Sequence, residues 1–301
     1  MSRNLLLFLG LFLCVQLLSA KNYRLYYLGG QSNMDGYGYV KDLPESMRAS
    51  MENLMIFHGN PAEDNVAAAD GRGLWQALRP GHGAGFSSDG ERNHYSKRFG
   101  PELSFAQQLQ AQYPDEAFAF IKYSKGGSSI DSLAADRFGC WEPDFRGQTG
   151  INQWDHFLAT MRSALAVTDI DGDGEADQLI PCGILWMQGE SDATISESVA
   201  NQYESHLKRL MDLMRASLQQ DDLPVVIGKI SESGNHKTRD KVWEYGEIVM
   251  EAQEAYVRKD PFAAIVRSTQ TYTYSDSWHY DSPAYIDLGK EFAKALLRIG
   301  K

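Results

Sequence analysis

The chain has few cysteines, and none of them lies in a metal-binding pattern. Its 301 residues include three, Cys14, Cys140 and Cys182. Neither Cys140 nor Cys182 has the neighbouring cysteine or histidine spacing that is typical of a zinc site. The sequence therefore does not predict a zinc centre. In an exported protein, Cys140 and Cys182 either form a disulfide or remain two buried free thiols, and the sequence leaves both alternatives open.

Positive charge is also scarce. Lys and Arg number 29 against 40 Asp and Glu, which gives a formal net charge of -11 at pH 7. A surface of this sign repels phosphate backbones and anionic lipids, so we expect no nucleic-acid partner and no membrane partner after removal of the leader. A neutral substrate, or one that is steered by local charges, is favoured over a polyanion.

Long apolar runs are absent except near the amino terminus. Arg3 precedes the apolar stretch Leu5–Leu18, which ends in the small residues Ser19 and Ala20. This stretch is too short to favour a membrane span, so residues 1–20 are predicted to be a cleaved secretory signal peptide, with a retained membrane anchor as the alternative. The protein is then secreted or periplasmic. Because no internal repeat or low-complexity linker follows, residues 21–301 are predicted to form a single domain.

Short apolar runs alternate with helical patterns along this domain. Five runs are predicted strands, namely Arg24–Leu28, Ala117–Tyr123, Cys182–Met187, Val225–Ile230 and Ala263–Arg267. Apolar residues at helical spacing predict helices near residues 102–112, 157–165, 207–214, 242–252 and 285–296. This alternation predicts an α/β fold in which a parallel sheet is sandwiched between helices.

The long stretch from Asp35 to Gly100 is rich in Gly, Asn, Asp and His. Such a segment in a compact domain is usually a functional loop or a disordered one. We expect it to wall a binding pocket. Within it, Trp75 is either a sugar-stacking platform or an ordinary packing residue, and packing is slightly favoured.

Polar residues lie just after the predicted strands, where ligands bind in open α/β sheets. They are Ser32 after the first strand, Gly126 and Gly127 after the second, Gln188 and Glu190 after the third, and Asp276 and His279 beyond the last. Because the carboxyl ends of parallel strands meet at one edge of the sheet, these distant segments are predicted to converge there.

The residue types at this edge are those of a serine hydrolase. The Ser32 hydroxyl is a weak nucleophile and needs a base, and His279 is the best candidate to accept its proton and to return it to the leaving alcohol. Asp276, three residues earlier, is predicted to fix the tautomer of that imidazole. The predicted oxyanion donors are the Ser32 N–H, the Gly127 N–H and the Gln188 side-chain amide.

Two further carboxylates lie close to these residues in the sequence. Glu190 either orients its loop or competes with Asp276 as the partner of His279, and we favour Asp276 for that role. Asp192 is predicted to be structural.

These motifs resemble those of the SGNH-type carbohydrate acetylesterases, in particular the sialate O-acetylesterase-like group related to the family-six acetylxylan esterases. Four blocks in the expected order carry the resemblance, Gly30–Met34, Lys125–Ser128, Trp186–Asp192 and Asp276–His279, with Gly100–Glu102 as a further shared feature. The resemblance implies a three-layer, flavodoxin-like α/β/α sandwich and a serine esterase mechanism without a catalytic metal or other cofactor. It assigns the triad roles to Ser32, Asp276 and His279, and the oxyanion roles to Gly127 and Gln188. Residue 187 is Met where relatives often have His, which predicts an altered pocket polarity.

The expected substrate is an acetylated carbohydrate. The leading hypothesis is a secreted O-acetylesterase that removes acetyl groups from poly- or oligosaccharides of the acetylxylan type through an acetyl-enzyme intermediate. The alternatives are a sialate O-acetylesterase, a catalytically silent carbohydrate-binding protein on the same scaffold, and a hydrolase of lipid or simple esters.

A separate acidic motif resembles the calcium loop of an EF-hand. Its oxygen-bearing residues are Asp169, Asp171, Asp173, Glu175 and Asp177, with Gly174 at the sixth position. Ile180 occupies the twelfth position, where an EF-hand has a bidentate acid. The motif is therefore either a structural Ca²⁺ site or a solvated acidic turn.

Overall fold

The computed structural model describes residues 20–65, 70–147, 150–234 and 241–299. The predicted signal peptide, apart from Ala20, lies outside these described residues. Within the same ranges, no helix is both long and apolar enough to cross a membrane.

A seven-stranded sheet organises the domain, with the strand order β11-β10-β9-β1-β8-β3-β4. All neighbouring strands in it are parallel except the edge pair β3 and β4, which is antiparallel. Two short pairs, β2 with β7 and β5 with β6, lie outside this sheet. The strands are β1 (Asn22–Gly30), β2 (Gly38–Tyr39), β3 (Met51–His58), β4 (Trp75–Leu78), β5 (Ser87–Ser88), β6 (Asn93–His94), β7 (Arg98–Phe99), β8 (Ala117–Ser124), β9 (Gln178–Met187), β10 (Val225–Gly228) and β11 (Ala263–Val266).

Helices cover both faces of the large sheet. They are α1 (Ser32–Asp35), α2 (Glu102–Gln112), α3 (Gln153–Leu165), α4 (Glu197–Ser217), α5 (Gly246–Lys259) and α6 (Ser282–Leu296). The neighbouring β1 residues Tyr26 and Tyr27 point to opposite faces, as the period of a strand requires. Tyr26 packs edge-on against Phe105 of α2, and Tyr27 packs edge-on against Phe157 of α3, at centroid distances of 5.4 and 4.9 Å. The predicted three-layer α/β/α sandwich is confirmed.

Side-chain caps begin three of the longer helices. The side chains of Asn152, Ser196 and Asp281 each accept a hydrogen bond from a backbone N–H in the first turn of α3, α4 and α6. Such a cap satisfies a donor that has no partner within the helix, and it is typically worth about 1 kcal/mol.

The five predicted strands and the five predicted helices all occur, but the sheet is larger than the sequence indicated. Two strands, β3 and β4, lie within the stretch that was expected to be a loop. Leu54 and Ile56 of β3 are fully buried, and the strand pairs with β8. Its apolar core is only the four residues Leu54–Phe57 within a polar segment, so it gave a weak strand signal. The sheet is parallel as predicted except at one edge, where β4 returns antiparallel to β3.

Candidate active site

Ser32 lies at the end of β1, where a sharp turn leads into the one-turn helix α1. Gly30 makes this turn possible, because its φ is +139° and a Cβ atom there would lie 2.0 Å from the Met187 carbonyl oxygen. The Gln31 N–H donates to that same carbonyl at 2.9 Å, which ties the turn to β9. The turn holds Ser32 in a fixed position beyond the carboxyl end of the strand.

Ser32 opens into a cleft of about 680 Å³. Four predicted segments contribute to it, as expected from the sheet edge: residues after β1, after β8, after β9 and near residue 279. The lining includes Ser32, Gly127, Ser191, Trp278 and His279.

The segment after Asp35 also walls the cleft, through Tyr37, Pro61 and residues 84–86. Trp75 is not part of this wall. Its indole N–H donates to the Ala164 carbonyl at 2.9 Å, and its ring packs edge-on against Phe57 at 5.7 Å. Of the two alternatives for Trp75, the structure therefore supports ordinary packing.

Asp276 and His279 form a hydrogen-bonded pair at the cleft. The distance between His279 Nδ1 and Asp276 Oδ2 is 2.8 Å. Asp276 Oδ1 accepts the backbone N–H groups of Trp278 and His279 at 2.7 and 2.8 Å, so the carboxylate also shapes the turn that carries the imidazole. With a proton assigned to Nδ1 by this contact, Nε2 is the nitrogen that is left as a base.

The surroundings of the pair shift the pKa of both Asp276 and His279. Burial lowers the pKa of His279, and this effect outweighs the opposing contribution of Asp276. Burial alone raises the pKa of Asp276, but the hydrogen bonds from His279 and from the backbone outweigh it, so the net pKa is below its ordinary value. Asp276 is therefore charged and His279 is neutral near pH 7, which is the protonation state that a general base requires.

Two backbone N–H groups next to the Ser32 side chain are suited to bind an oxyanion. Among the described residues, the N–H groups of Ser32 and Gly127 have no hydrogen-bond partner. The turn that carries Gly127 passes close to the nucleophile, since a Cβ atom on Gly126 would lie 3.3 Å from Ser32 Cβ. Gly127 has a φ of +76°, and a Cβ atom there would lie 2.3 Å from the Phe138 ring. Only glycine fits this turn without strain.

The structure does not place the Gln188 amide where an oxyanion would bind. Gln188 is fully buried, and its Nε2 donates to the Ser128 carbonyl at 3.2 Å and to Asp192 Oδ2 at 2.6 Å. Since an amide nitrogen has two hydrogens, both are engaged. The expectation for Gln188 is corrected: it ties the glycine turn after β8 to the loop after β9.

Asp192 belongs to the same network, in agreement with its predicted structural role. Its carboxylate accepts the backbone N–H groups of Ile130 and Asp131 at distances of 2.9 to 3.1 Å. Burial raises the pKa of Asp192 to about 6.

Glu190 orients a loop rather than contacting His279. Its Oε1 accepts a hydrogen bond from Asn33 Nδ2 at 2.8 Å, and its Oε2 is buried with no hydrogen-bond partner among the described residues. Burial raises the pKa of Glu190 to about 7. Of the two carboxylates considered as the partner of His279, Asp276 is the one in contact.

The family profile described as "Carbohydrate esterase, sialic acid-specific acetylesterase" matches residues 22–298. The chain belongs to this family. Its members are carbohydrate esterases, so the chain is a hydrolase of the carbohydrate acetylesterase class. No curated protein sequence matches the chain significantly.

Solved structures show the same fold at low sequence identity. A protein from Arabidopsis thaliana is 19% identical over 93% of this chain and 98% of its own, with a TM-score of 0.62. A carbohydrate acetylesterase from Xanthomonas citri is 16% identical over 92% of this chain, with a TM-score of 0.60, and the chain spans 56% of that protein's length. NanS is 14% identical over 93% of this chain and 98% of its own, with a TM-score of 0.58.

One residue of the esterase site was missed at the sequence level. Asn33 is buried beside Ser32, and its Nδ2 donates to Glu190 and, at 3.1 Å, to the Trp278 carbonyl. Its Oδ1 accepts from the Tyr285 hydroxyl at 2.7 Å and from the Tyr280 N–H at 3.4 Å. Asn33 thus joins the turn that carries Ser32 to the Asp276–His279 turn. The signals in the sequence were its position next to Ser32 and its place in the block Gly30–Met34.

The side chain of Met187 does not line the cleft. Its side chain is fully buried at the end of β9, and its sulfur lies against Gly228. We expected Met at position 187 to change the polarity of the pocket. Because its side chain is buried away from the cleft, it does not do so directly.

The acidic loop lies away from the cleft. Ligand oxygens of Asp169, Asp171 and Asp177 lie within 4.8 Å of one another. Lys21 Nζ forms ion pairs with Asp171 and with Asp173, the latter at 3.0 Å. A lysine therefore already neutralises part of this loop, and calcium binding by Asp169, Asp171, Asp173, Glu175 and Asp177 stays a prediction.

Cys140 and Cys182 are free thiols in the structure and do not form a disulfide with each other. Cys140 is buried and Cys182 is partly buried, and neither is in a disulfide. Burial raises the pKa of the Cys140 thiol to about 12, so it is an unreactive core residue.

Proposed function

We propose that this protein is a serine O-acetylesterase that acts on acetylated polysaccharides or oligosaccharides of the acetylxylan type. The observation that carries the proposal is that Ser32 shares one cleft with the hydrogen-bonded Asp276–His279 pair, in a chain of a carbohydrate esterase family. The predicted signal peptide supports a secreted or periplasmic enzyme. The residues of the site supply the catalytic groups themselves, without a cofactor.

In the proposed mechanism, Nε2 of His279 accepts the Ser32 hydroxyl proton while Ser32 Oγ attacks the acetyl carbonyl carbon. The N–H groups of Ser32 and Gly127 bind the oxyanion of the tetrahedral intermediate. The imidazolium of His279 then donates its proton to the departing sugar oxygen, which leaves an acetyl-enzyme. Water adds its oxygen to that acetyl carbon, His279 takes its proton and returns it to Ser32 Oγ, and acetate leaves.

The charges of the cleft favour a neutral sugar. Of its described lining residues, Lys125 and Arg137 are the cations, since His279 is neutral near pH 7. Both contact Asp64, at 2.7 and 3.2 Å. The carboxylates of Asp35 and Asp136 also line the cleft. An acidic sugar would compete with these carboxylates for the cations, whereas a neutral acetylated sugar would not.

A sialate O-acetylesterase is the second candidate, and the description of the matched family favours it. A catalytically silent carbohydrate-binding protein is the candidate from another functional class. The presence of Ser32, Gly127 and the Asp276–His279 pair at one cleft weighs against a silent site, because a binding protein has no need of a serine and of a base oriented by a carboxylate.

The test is acetate release from acetylated xylan and from an O-acetylated sialic acid by the purified protein and by Ser32→Ala. We expect release from xylan, and a loss of about three orders of magnitude or more in Ser32→Ala. Ser205→Ala, a change of an exposed serine on α4, is the matched control and should keep full activity. Release from the sialic acid alone would select the second candidate. Equal turnover by Ser32→Ala would reject the serine mechanism, and sugar binding without acetate release would indicate the silent protein.

A further inference from the structure

Two strongly exposed apolar residues line the cleft. The three most exposed large hydrophobic side chains among the described residues are Leu133, Ile195 and Trp278, at 75%, 55% and 53%. Ile195 and Trp278 line the cleft, and Leu133 is adjacent in sequence to the lining residue Ala134. Single exposed apolar residues are ordinary, but a group of them at one opening marks a site of interaction.

Trp278 is exposed although its backbone is firmly held. Its N–H donates to Asp276 Oδ1 at 2.7 Å, and its carbonyl accepts from Asn33 Nδ2 at 3.1 Å. The indole ring stands edge-on to His279, with centroids 6.4 Å apart and an interplanar angle of 64°. The fold therefore presents a large aromatic residue, 53% exposed, to solvent directly beside the proposed base.

We propose that Trp278 is the stacking platform for a sugar ring of the substrate, so that the site selects acetylated oligosaccharides over small acetyl esters. This inference rests on the proposed function. One face of a pyranose ring is made of C–H groups, and these pack on an indole while the hydroxyl groups stay in water. Because the backbone of Trp278 is already fixed, the platform loses little conformational freedom when the sugar binds.

The size of the cleft agrees with this assignment. Its volume of about 680 Å³ lies within the range of roughly 300–1,000 Å³ that is typical of sites for drug-sized ligands. An acetyl group alone would fill a small part of it. Trp278 and Ser32 line this same cleft, so it accommodates one ring stacked on Trp278 and a neighbouring acetylated ring at Ser32.

The kinetic test compares acetylated xylotriose with 4-nitrophenyl acetate, which has no sugar. For Trp278→Ala, we expect the ratio of kcat/KM on the trisaccharide to kcat/KM on the simple ester to fall at least about tenfold, through KM. Trp278→Phe should keep most of the ratio, because it keeps an aromatic face. Phe262→Ala removes an exposed aromatic ring outside the cleft and should leave the ratio unchanged. A ratio unchanged in Trp278→Ala would overturn the platform.

A binding measurement separates this proposal from the proposed function. Calorimetry with acetylated xylotriose on Ser32→Ala, and on Ser32→Ala combined with Trp278→Ala, should show at least about tenfold weaker binding by the double variant. If that loss occurs but the native protein releases no acetate, the platform stands and the esterase proposal fails. If acetate is released and binding is equal in the two variants, the esterase stands and the platform is overturned. An absence of binding by Ser32→Ala would also overturn it.

Discussion

Tyr37 and His279 lie face to face, with ring centroids 3.5 Å apart and planes only 4° apart. Asp276 fixes one ring nitrogen of His279, and Tyr37 covers one face of the ring. Tyr37 is itself held by Arg98, which donates to its carbonyl oxygen and lies 5.5 Å from its ring centroid. The orientation of the imidazole is therefore set by two independent contacts before any substrate arrives.

Replacement of Tyr37 by Ala should loosen the imidazole and admit water to it. Burial is the main cause of the lowered pKa of His279, so this change should move that pKa upward toward its ordinary value. The acid limb of kcat/KM would then shift to higher pH, and kcat would fall about tenfold because the base is less well oriented. The pH profile with 4-nitrophenyl acetate measures both. Tyr37→Phe keeps the stack and should remain near the native values; an equal loss in both variants would show that the hydroxyl, not the stack, matters.

Replacement of Asp276 by Asn should move the acid limb in the opposite direction. The carboxylate raises the pKa of His279 against the effect of burial, so its removal lowers that pKa further. The base then stays neutral to lower pH, and the acid limb shifts downward. At the plateau kcat should fall by about 10³- to 10⁴-fold, because the tautomer and the imidazolium lose their support. Asp115→Asn, at an exposed position, is the control. An acid limb that moves upward would contradict the assignment of Asp276.

Replacement of Glu190 by Gln should change how stability depends on pH. Burial raises the pKa of Glu190 from 4.5 to about 7, so the unfolded chain loses this proton first as the pH rises. Native stability is therefore lost between about pH 4.5 and pH 7, by up to about 3 kcal/mol for this shift. Gln does not titrate, so the stability of the variant relative to the native protein should rise with pH across this window.

Urea unfolding of both proteins at pH 4.5 and pH 8 measures this difference directly. Glu91→Gln, at an exposed position, should show no such trend. A relative stability of Glu190→Gln that is equal at the two pH values would show that the pKa of Glu190 is the same in the folded and the unfolded chain, and would contradict the shift caused by burial.

The sequence predicted those features that depend on local pattern and on the order of strands. Ser32, Gly127, Asp276 and His279 each follow a recognisable turn, and a parallel sheet brings such turns together at one edge. The contacts of Asn33 and Tyr37 were not predictable in this way. Both contacts depend on where two segments about 245 residues apart meet, and on the ring orientation at that point.

The orientation of the Gln188 side chain also could not be predicted from the sequence. Its position after β9 placed it near the site, and an exposed amide there would suit an oxyanion. Whether the amide faces the cleft depends on its competing partners, Ser128 and Asp192, which lie 60 residues before it and four residues after it. No local sequence pattern distinguishes an amide that faces the cleft from one that is bound internally, because Gln188 lies at the same strand end in both cases.

Replacement of Gly127 by Ala tests the second proposed oxyanion donor besides Ser32, and Gly172 provides its matched control. The two glycines have nearly the same φ, +76° and +77°, so a Cβ atom adds similar backbone strain at both, on the order of 1 kcal/mol. Their surroundings differ: a Cβ atom on Gly127 would lie 2.3 Å from the Phe138 ring, whereas one on Gly172 would have nothing within 4 Å.

Gly127→Ala should therefore lose more stability than Gly172→Ala in the same urea titration, because either the Phe138 ring or the turn must move. The turn carries the Gly127 N–H beside Ser32, so its displacement should also lower kcat by about 10²- to 10³-fold, the usual cost of one oxyanion donor. Gly172→Ala should keep the native kcat. If Gly127→Ala kept its kcat although its turn was displaced, the oxyanion would bind at Ser32 without help from Gly127.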